Sequence, residues 1–69
     1  MILEEAKELA QQGVKMTHNY FTDEEYITMR GNIIVFEDGC KIFFNEWVQG
    51  KEYLKTGWSR FEEIKNLSN

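Results

Sequence analysis

The chain has 69 residues, which is enough for one small domain spanning residues 1–69. A formal net charge of −4 and a pI near 4.9 argue against binding to duplex nucleic acid, which requires clustered lysine and arginine. The single cysteine excludes an internal disulfide and a multi-cysteine zinc site, and it fits a reducing cytoplasm. No apolar run approaches the roughly 20 residues of a membrane span, and we expect no secretory signal.

The first segment predicts an amphipathic helix over residues 2–12. Its apolar residues recur at the spacing of one helix face: Ile2, Leu3, Ala6, Leu9 and Ala10. Gly13 follows directly and is expected to end the helix, because glycine readily adopts the left-handed conformation of a helix C-terminus.

The next segment, Val14–Tyr20, alternates apolar and polar residues and predicts a strand. Residues 21–25 are expected to form a loop, followed by a strand over Tyr26–Arg30. A short helix over residues 23–30 is an alternative, because Thr22 and Glu25 have the spacing of a capping box.

A β-hairpin is predicted over Asn32–Asn45, with Asp38-Gly39 as a two-residue type I′ turn. This turn places Phe36 opposite Lys41 and Ile34 opposite Phe43. In that register one face carries Ile33, Val35, Ile42 and Phe44, and the other carries Ile34, Phe36 and Phe43. Both faces are apolar, so we expect a second protomer to cover one of them in a homo-oligomer.

After the hairpin, a short and broken helix is predicted over residues 46–55, with Asn45 as its cap and Gly50 as its weak point. Residues 58–64 are expected to form a last strand or a short helix. The predicted fold class is therefore α+β: an N-terminal helix packed on a small antiparallel β-meander, with a short C-terminal helix, a last strand or both.

Recognised catalytic patterns are absent from the sequence, which has no glycine-rich phosphate loop, no Cys-x-x-Cys pair and no Gly-x-Ser-x-Gly elbow. We therefore expect no enzyme activity, no metal and no cofactor. A lone histidine, His18, beside apolar neighbours is typical of a hydrogen-bonded packing residue. Asp23, Glu24 and Glu25 are typical of a solvated acidic turn, since their spacing matches no calcium loop.

A binding surface is the other chemistry that the residues offer. Aromatic faces stack on nucleobases, cations contact phosphates, and polar side chains bond to ribose hydroxyls. The predicted ligand-binding residues are Tyr20, Phe21 and Trp58 for stacking, Arg30 and Lys15 for charge, and Asn19 and His18 for polar contacts. The alternative is that these aromatic residues simply complete a small core.

The order of these features resembles the second Thoeris anti-defence family of small phage cyclic-nucleotide sponges. The similar segments are Glu4–Lys15, Tyr20-Phe21, Tyr26-Ile27, Ile33–Gly39 and Tyr53–Phe61. The chain departs from the family in three ways, one of which is a shorter stretch after the hairpin. Tyr20 or Phe21 replaces the usual tryptophan after the first strand, and Gly57 replaces an acidic residue before the last tryptophan.

The resemblance implies a homo-oligomer, encoded by a phage and active in the host cytoplasm, that holds an NAD-derived cyclic ADP-ribose isomer between protomers without turning it over. One alternative is an acidic phage protein that inhibits a host protein by direct contact. Mimicry of nucleic acid is one way in which such a protein could inhibit its target. A second alternative is a small accessory domain without a ligand.

Overall fold

The computed structural model describes residues 1–62. Helix α1 (Leu3–Gln11) is followed by strands β1 (Met16–His18), β2 (Ile27–Arg30), β3 (Ile33–Phe36) and β4 (Lys41–Phe43). Helix α2 (Phe44–Val48), a 3₁₀ turn (Glu52–Lys55) and strand β5 (Trp58–Arg60) complete the described chain. The strands form one antiparallel sheet in the order β4-β3-β2-β1-β5, so the predicted α+β meander with a short helix and a last strand is confirmed.

Helix α1 lies on the inner face of the sheet and contributes its small residues to the core. Ala6 and Ala10 are buried, while Leu3 and Leu9 pack at the edge of the same cluster. The helix ends as predicted. Gly13 has φ 94°, and the N–H groups of Gly13 and Val14 donate to the carbonyls of Ala10 and Leu9, which is the Schellman arrangement.

The core lies between α1, the 3₁₀ turn and the inner face of the sheet. Its fully buried side chains are Met16, Ile34 and Leu54, and it also includes Ile27, Met29, Phe44 and Trp58. In β2 the burial alternates strictly, because Ile27 and Met29 face inward and Thr28 and Arg30 face outward.

The predicted turn and register of the hairpin are wrong by one residue. Ile34 pairs with Ile42, and Val35 pairs with Lys41. The loop has three residues, because the N–H of Phe36 donates to the Cys40 carbonyl and that of Gly39 donates to the Phe36 carbonyl. Only Gly39 has positive φ, at 91°, so the loop is a type I turn closed by a glycine bulge.

The observed register changes which side chains share a face. Ile34, Phe36 and Ile42 face the core together, whereas Ile33, Val35 and Phe43 lie on the outer face. Phe43 is 57% exposed there. The outer face is apolar at the hairpin, whereas β1, β2 and β5 place Thr17, Thr28 and Ser59 on it.

Several boundaries also differ from the predicted ones. The first strand is shorter than Val14–Tyr20, because Asn19 and Tyr20 turn the chain and the Phe21 N–H donates to the His18 carbonyl. The loop and strand predicted over residues 21–30 are confirmed, so the helix alternative over residues 23–30 is wrong. The helix predicted over residues 46–55 is broken as expected at Gly50, which has φ 76°.

Two further predictions concern the ends of elements. Asn45 does not cap α2, since the cap position is Phe43 and no side chain bonds there. Strand β5 resolves the choice between strand and helix for its described part, while residues 63–64 of that prediction lie outside the described residues. No helix within residues 1–62 is both long and apolar enough to cross a membrane.

Candidate functional site

Seven rings form one connected cluster at the end of the sheet where β1 and β3 end and β2 and β5 begin. The members of this aromatic cluster are His18, Tyr20, Phe21, Phe36, Trp47, Tyr53 and Trp58. Edge-to-face pairs predominate, with His18 and Trp58 centroids 5.0 Å apart and Tyr20 and Tyr53 centroids 5.3 Å apart. Such pairs add stability beyond the area that they bury.

His18 lies at the centre of the cluster and is only 4% exposed. Its Nδ1 accepts a hydrogen bond from the Tyr20 N–H at 3.1 Å. Its Nε2 lies 2.9 Å from the Tyr53 carbonyl and 2.6 Å from the Thr56 carbonyl. Because Nδ1 accepts and carbonyls cannot donate, the proton is assigned to Nε2. The imidazole therefore links β1 to the segment before β5, and the expectation of a hydrogen-bonded packing histidine is confirmed.

Gly57 approaches the His18 ring closely. A Cβ at this position would lie 3.1 Å from His18 Nε2 and 3.1 Å from Asn19 Nδ2, and the backbone has φ 91°. Glycine is therefore suited to this position, because any side chain would press on the buried imidazole.

The exposed end of the cluster borders a recess of about 330 Å³, which we call the tyrosine recess. Its walls are His18, Asn19, Tyr20, Tyr53, Thr56 and Gly57. Tyr20 is 75% exposed and Tyr53 is 48% exposed, so both rings present surface to solvent. Among the described residues, no aspartate, glutamate, lysine or arginine lines this recess.

A second recess of about 330 Å³, the acidic recess, shares Tyr53 as a wall with the tyrosine recess. Its aromatic walls are Phe21, Tyr26, Phe36, Trp47 and Tyr53. Three carboxylates also line it, from Glu25, Glu37 and Asp38, together with Cys40. The two recesses thus share one aromatic end of the molecule and differ in charge.

The β3–β4 turn fixes the electrostatics of the acidic recess. Asp38 Oδ1 accepts from the Cys40 N–H at 3.0 Å, and this hydrogen bond lowers the pKa of the Asp38 carboxyl. The Cys40 thiol lies 3.5 Å from Asp38 Oδ2, and its hydrogen bond with that carboxylate, together with the negative charge, raises the pKa of the thiol. Cys40 is consequently less ionised at neutral pH than an ordinary cysteine.

The structure brings some of the predicted ligand-binding residues together and separates others. His18, Tyr20, Phe21 and Trp58 meet in the aromatic cluster, and Asn19 lines the tyrosine recess. Trp58, however, is only 3% exposed, and its indole N–H donates to the Leu54 carbonyl at 2.6 Å. It therefore completes the core, as the alternative in the sequence analysis allowed.

The two predicted cations lie elsewhere. Arg30 is exposed at the end of β2, and the antiparallel pairing of β2 with β1 puts this end opposite to the one that carries His18. Lys15 precedes β1 and has its Nζ 4.8 Å from the Tyr26 ring centroid. Neither residue lines the tyrosine recess or the acidic recess.

Sequence reasoning missed Trp47, Tyr53 and Glu37 as members of this region. Tyr53 and Trp47 are far from Tyr20 along the chain, and only the break at Gly50 folds them back over the end of the sheet. A usable signal was present, since both aromatic residues flank that glycine within a segment already predicted to be broken.

Comparison with protein-family models, with curated proteins and with solved structures gives no match. Within residues 1–62, no group of three histidine, cysteine, aspartate or glutamate side chains is placed to hold a metal ion. The described residues form a small α+β domain whose aromatic end borders the tyrosine recess and the acidic recess.

Proposed function

We propose that this chain is a phage anti-defence protein that binds an NAD-derived cyclic nucleotide, a cyclic ADP-ribose isomer, and sequesters it without turnover. The observation that carries the proposal is the exposed Tyr20–Tyr53 pair on the uncharged tyrosine recess. Solvent-exposed aromatic faces bind bases at about 1–3 kcal/mol per stacked base. The resemblance to the phage sponges supplies the identity of the ligand and the host cytoplasm as the place of action.

The environment of the two reactive side chains supports binding without chemistry. Both ring nitrogens of His18 are engaged by backbone groups, so neither is available for transferring a proton to a ligand. The hydrogen bond with Asp38 and the charge of that carboxylate raise the pKa of the Cys40 thiol, which lowers the fraction of nucleophilic thiolate. Tight retention of an unmodified ligand is what a sponge requires.

The ligand's phosphates require positive charge that the tyrosine recess lacks, and we propose that a second copy of the chain supplies it. Arg30 pairs with Ile33 in the sheet, next to the apolar outer patch formed by Ile33, Val35 and Phe43. An interface through this patch would place Arg30 at the contact between copies. Homo-oligomerisation and ligand binding are therefore proposed to depend on each other.

Native mass spectrometry with and without cyclic ADP-ribose isomers tests the proposal, because it reads stoichiometry and bound ligand together. We expect an oligomer that retains the nucleotide and releases it unmodified. Tyr20→Ala should abolish retention, whereas the matched control Tyr20→Phe should keep it, since only the ring stacks. Arg30→Ala should weaken ligand binding, and Phe43→Glu should dissociate the oligomer. A monomer that binds nothing would refute the proposal.

A second candidate function is inhibition of a host protein by direct contact, and the distribution of negative charge favours it. Glu4, Glu5 and Glu8 are exposed along α1, and Glu37 and Asp38 are exposed in the β3–β4 turn. A pull-down from host lysate, followed by stoichiometric reconstitution with the purified partner, tests this function. A retained nucleotide without any protein partner would count against it.

A further inference from the structure

The acidic recess combines aromatic walls with negative charge in a way that the proposed nucleotide site does not use. Trp47 packs against Phe36 with centroids 5.8 Å apart and against Phe21 with centroids 6.3 Å apart. Tyr26 closes the recess from the start of β2, and Tyr53 closes it from the 3₁₀ turn. Ring faces carry negative electrostatic potential, so such walls attract cations and are poor neighbours for phosphates.

Each carboxylate of the recess is anchored by a backbone N–H. Glu25 Oε1 accepts from the Thr22 N–H at 2.8 Å, and Glu37 Oε1 accepts from the Tyr26 N–H at 3.4 Å. Asp38 is held in the same manner by Cys40. An ionised carboxylate has about four acceptor positions, so each group keeps most of its capacity free.

These three negative charges are not neutralised within the part of the chain that the structure describes. The ion pair recorded among the described residues, between Lys55 and Glu52, lies outside the recess, and no described lysine or arginine is one of its wall residues. The Lys15 ammonium lies 4.8 Å from the ring centroid of one wall residue, Tyr26. Like charges in one recess repel each other, and a bound cation would relieve that repulsion. The hydrogen bond from Cys40 also favours the ionised form of Asp38.

The arrangement selects the kind of cation. The carboxylates do not converge as a metal ion would require, since residues 1–62 contain no group of three acidic, histidine or cysteine ligands in that geometry. A large and weakly hydrated cation gains instead from the aromatic walls. We propose that the acidic recess binds an organic cation, a guanidinium or alkylated ammonium group, with Trp47 as its main wall and Glu37 and Asp38 as its counter-charges.

Choline and its neutral isostere 3,3-dimethylbutan-1-ol provide the direct test, followed by amide NMR shifts of the protein. Choline should give saturable shifts that map to Tyr26, Phe36 and Trp47, and the isostere should bind about 10-fold more weakly because it lacks the charge. Acetyl-arginine amide, tested in the same way, distinguishes a partner's arginine side chain from a small free cation. Equal binding of choline and the isostere would overturn the proposal.

A pair of triple variants separates local from general electrostatics. Glu25→Gln with Glu37→Gln and Asp38→Asn keeps the shape and the backbone hydrogen bonds, and it should weaken choline binding by roughly 10-fold or more. The control variant combines Glu4→Gln, Glu5→Gln and Glu8→Gln. It removes an equal number of negative charges from a surface recess on α1 that has no aromatic residue, and it should change choline binding little. An equal loss in both variants would overturn the proposal.

Circular dichroism checks that the triple variant of the acidic recess is folded. If it unfolds, the single variant Glu37→Gln replaces it and should also weaken choline binding.

The nucleotide proposal is tested independently of the acidic recess. Its test depends on Tyr20, which does not line the acidic recess.

Discussion

Gly57→Ala should lower the free energy of unfolding for two reasons that the structure separates. The first part is backbone strain, because φ is 91° and an L-residue costs about 1–2 kcal/mol in the left-handed region. The second part is a clash, because the new Cβ would lie 3.1 Å from His18 Nε2 and 3.1 Å from Asn19 Nδ2. Asn19 is exposed and can move into solvent, whereas the His18 ring is buried and held at both nitrogens.

Displacing the imidazole would lengthen the contacts from Nε2 to the Tyr53 and Thr56 carbonyls. A buried polar group left without a partner costs about 1–3 kcal/mol. Adding the backbone strain, we expect Gly57→Ala to lower the free energy of unfolding by roughly 2–5 kcal/mol. For a domain of this size, each kilocalorie lowers the melting temperature by about 4–8 °C.

Two other glycines provide matched controls. Gly13 has φ 94° and Gly39 has φ 91°, and a Cβ at either position would meet no atom within 4 Å. Alanine at these positions should therefore cost only the backbone strain of about 1–2 kcal/mol. Urea unfolding followed by tryptophan fluorescence measures all three variants under identical conditions. If Gly57→Ala is no more destabilising than the two controls, the close contact with His18 does not contribute to the loss of stability, and our account of this position is refuted.

Three further predictions follow from the aromatic end. His18→Leu should lower the free energy of unfolding by about 2–4 kcal/mol, because it leaves the Tyr53 and Thr56 carbonyls and the Tyr20 N–H without their partner; a loss below 1 kcal/mol in urea unfolding would contradict this. Trp58→Phe should lower the free energy of unfolding by about 1–3 kcal/mol, because it removes the hydrogen bond to the Leu54 carbonyl. Trp47→Phe should cost less, because the Trp47 indole N–H makes no hydrogen bond with the described residues. Asp38→Asn should lower the pKa of Cys40, because it removes the thiol–carboxylate hydrogen bond and the negative charge that raise this pKa. The rate of alkylation by iodoacetamide, measured against pH, should therefore rise at lower pH in the variant, and coincident profiles for the variant and the parent would show that Asp38 does not control the thiol.

The β3–β4 hairpin shows why local turn signals predict a strand pair better than its register. Asp38-Gly39 correctly marks the turn, but a type I′ turn needs positive φ at both residues, and only Gly39 adopts it at no cost. The predicted register would also have put Lys41 opposite Phe36 on the core side. The three-residue loop instead puts Lys41 opposite Val35 on the outer face and lets Ile42 join Ile34 in the core.

The separation of Arg30 from the aromatic cluster was within reach of sequence reasoning. Once β1 and β2 are predicted as antiparallel neighbours, the end of β2 must lie opposite the end of β1, which carries His18. The grouping of Tyr53 and Trp47 with Tyr20 was not predictable in the same way. It depends on the path of the chain from α2 across the inner face to β5, and no local pattern encodes that path.

The sequence by itself determined the elements of this protein and the places where the chain turns. Apolar periodicity defines α1 and β1, and Gly13, Gly39 and Gly50 mark the breaks, because only glycine adopts their backbone angles without strain. Only the tertiary structure decided that His18 would be locked by carbonyls from a distant segment, and that carboxylates from two loops would meet five aromatic rings. The physical reason is that secondary structure follows from interactions between near neighbours. A recess, in contrast, forms where segments far apart in the chain pack together to bury their apolar surface.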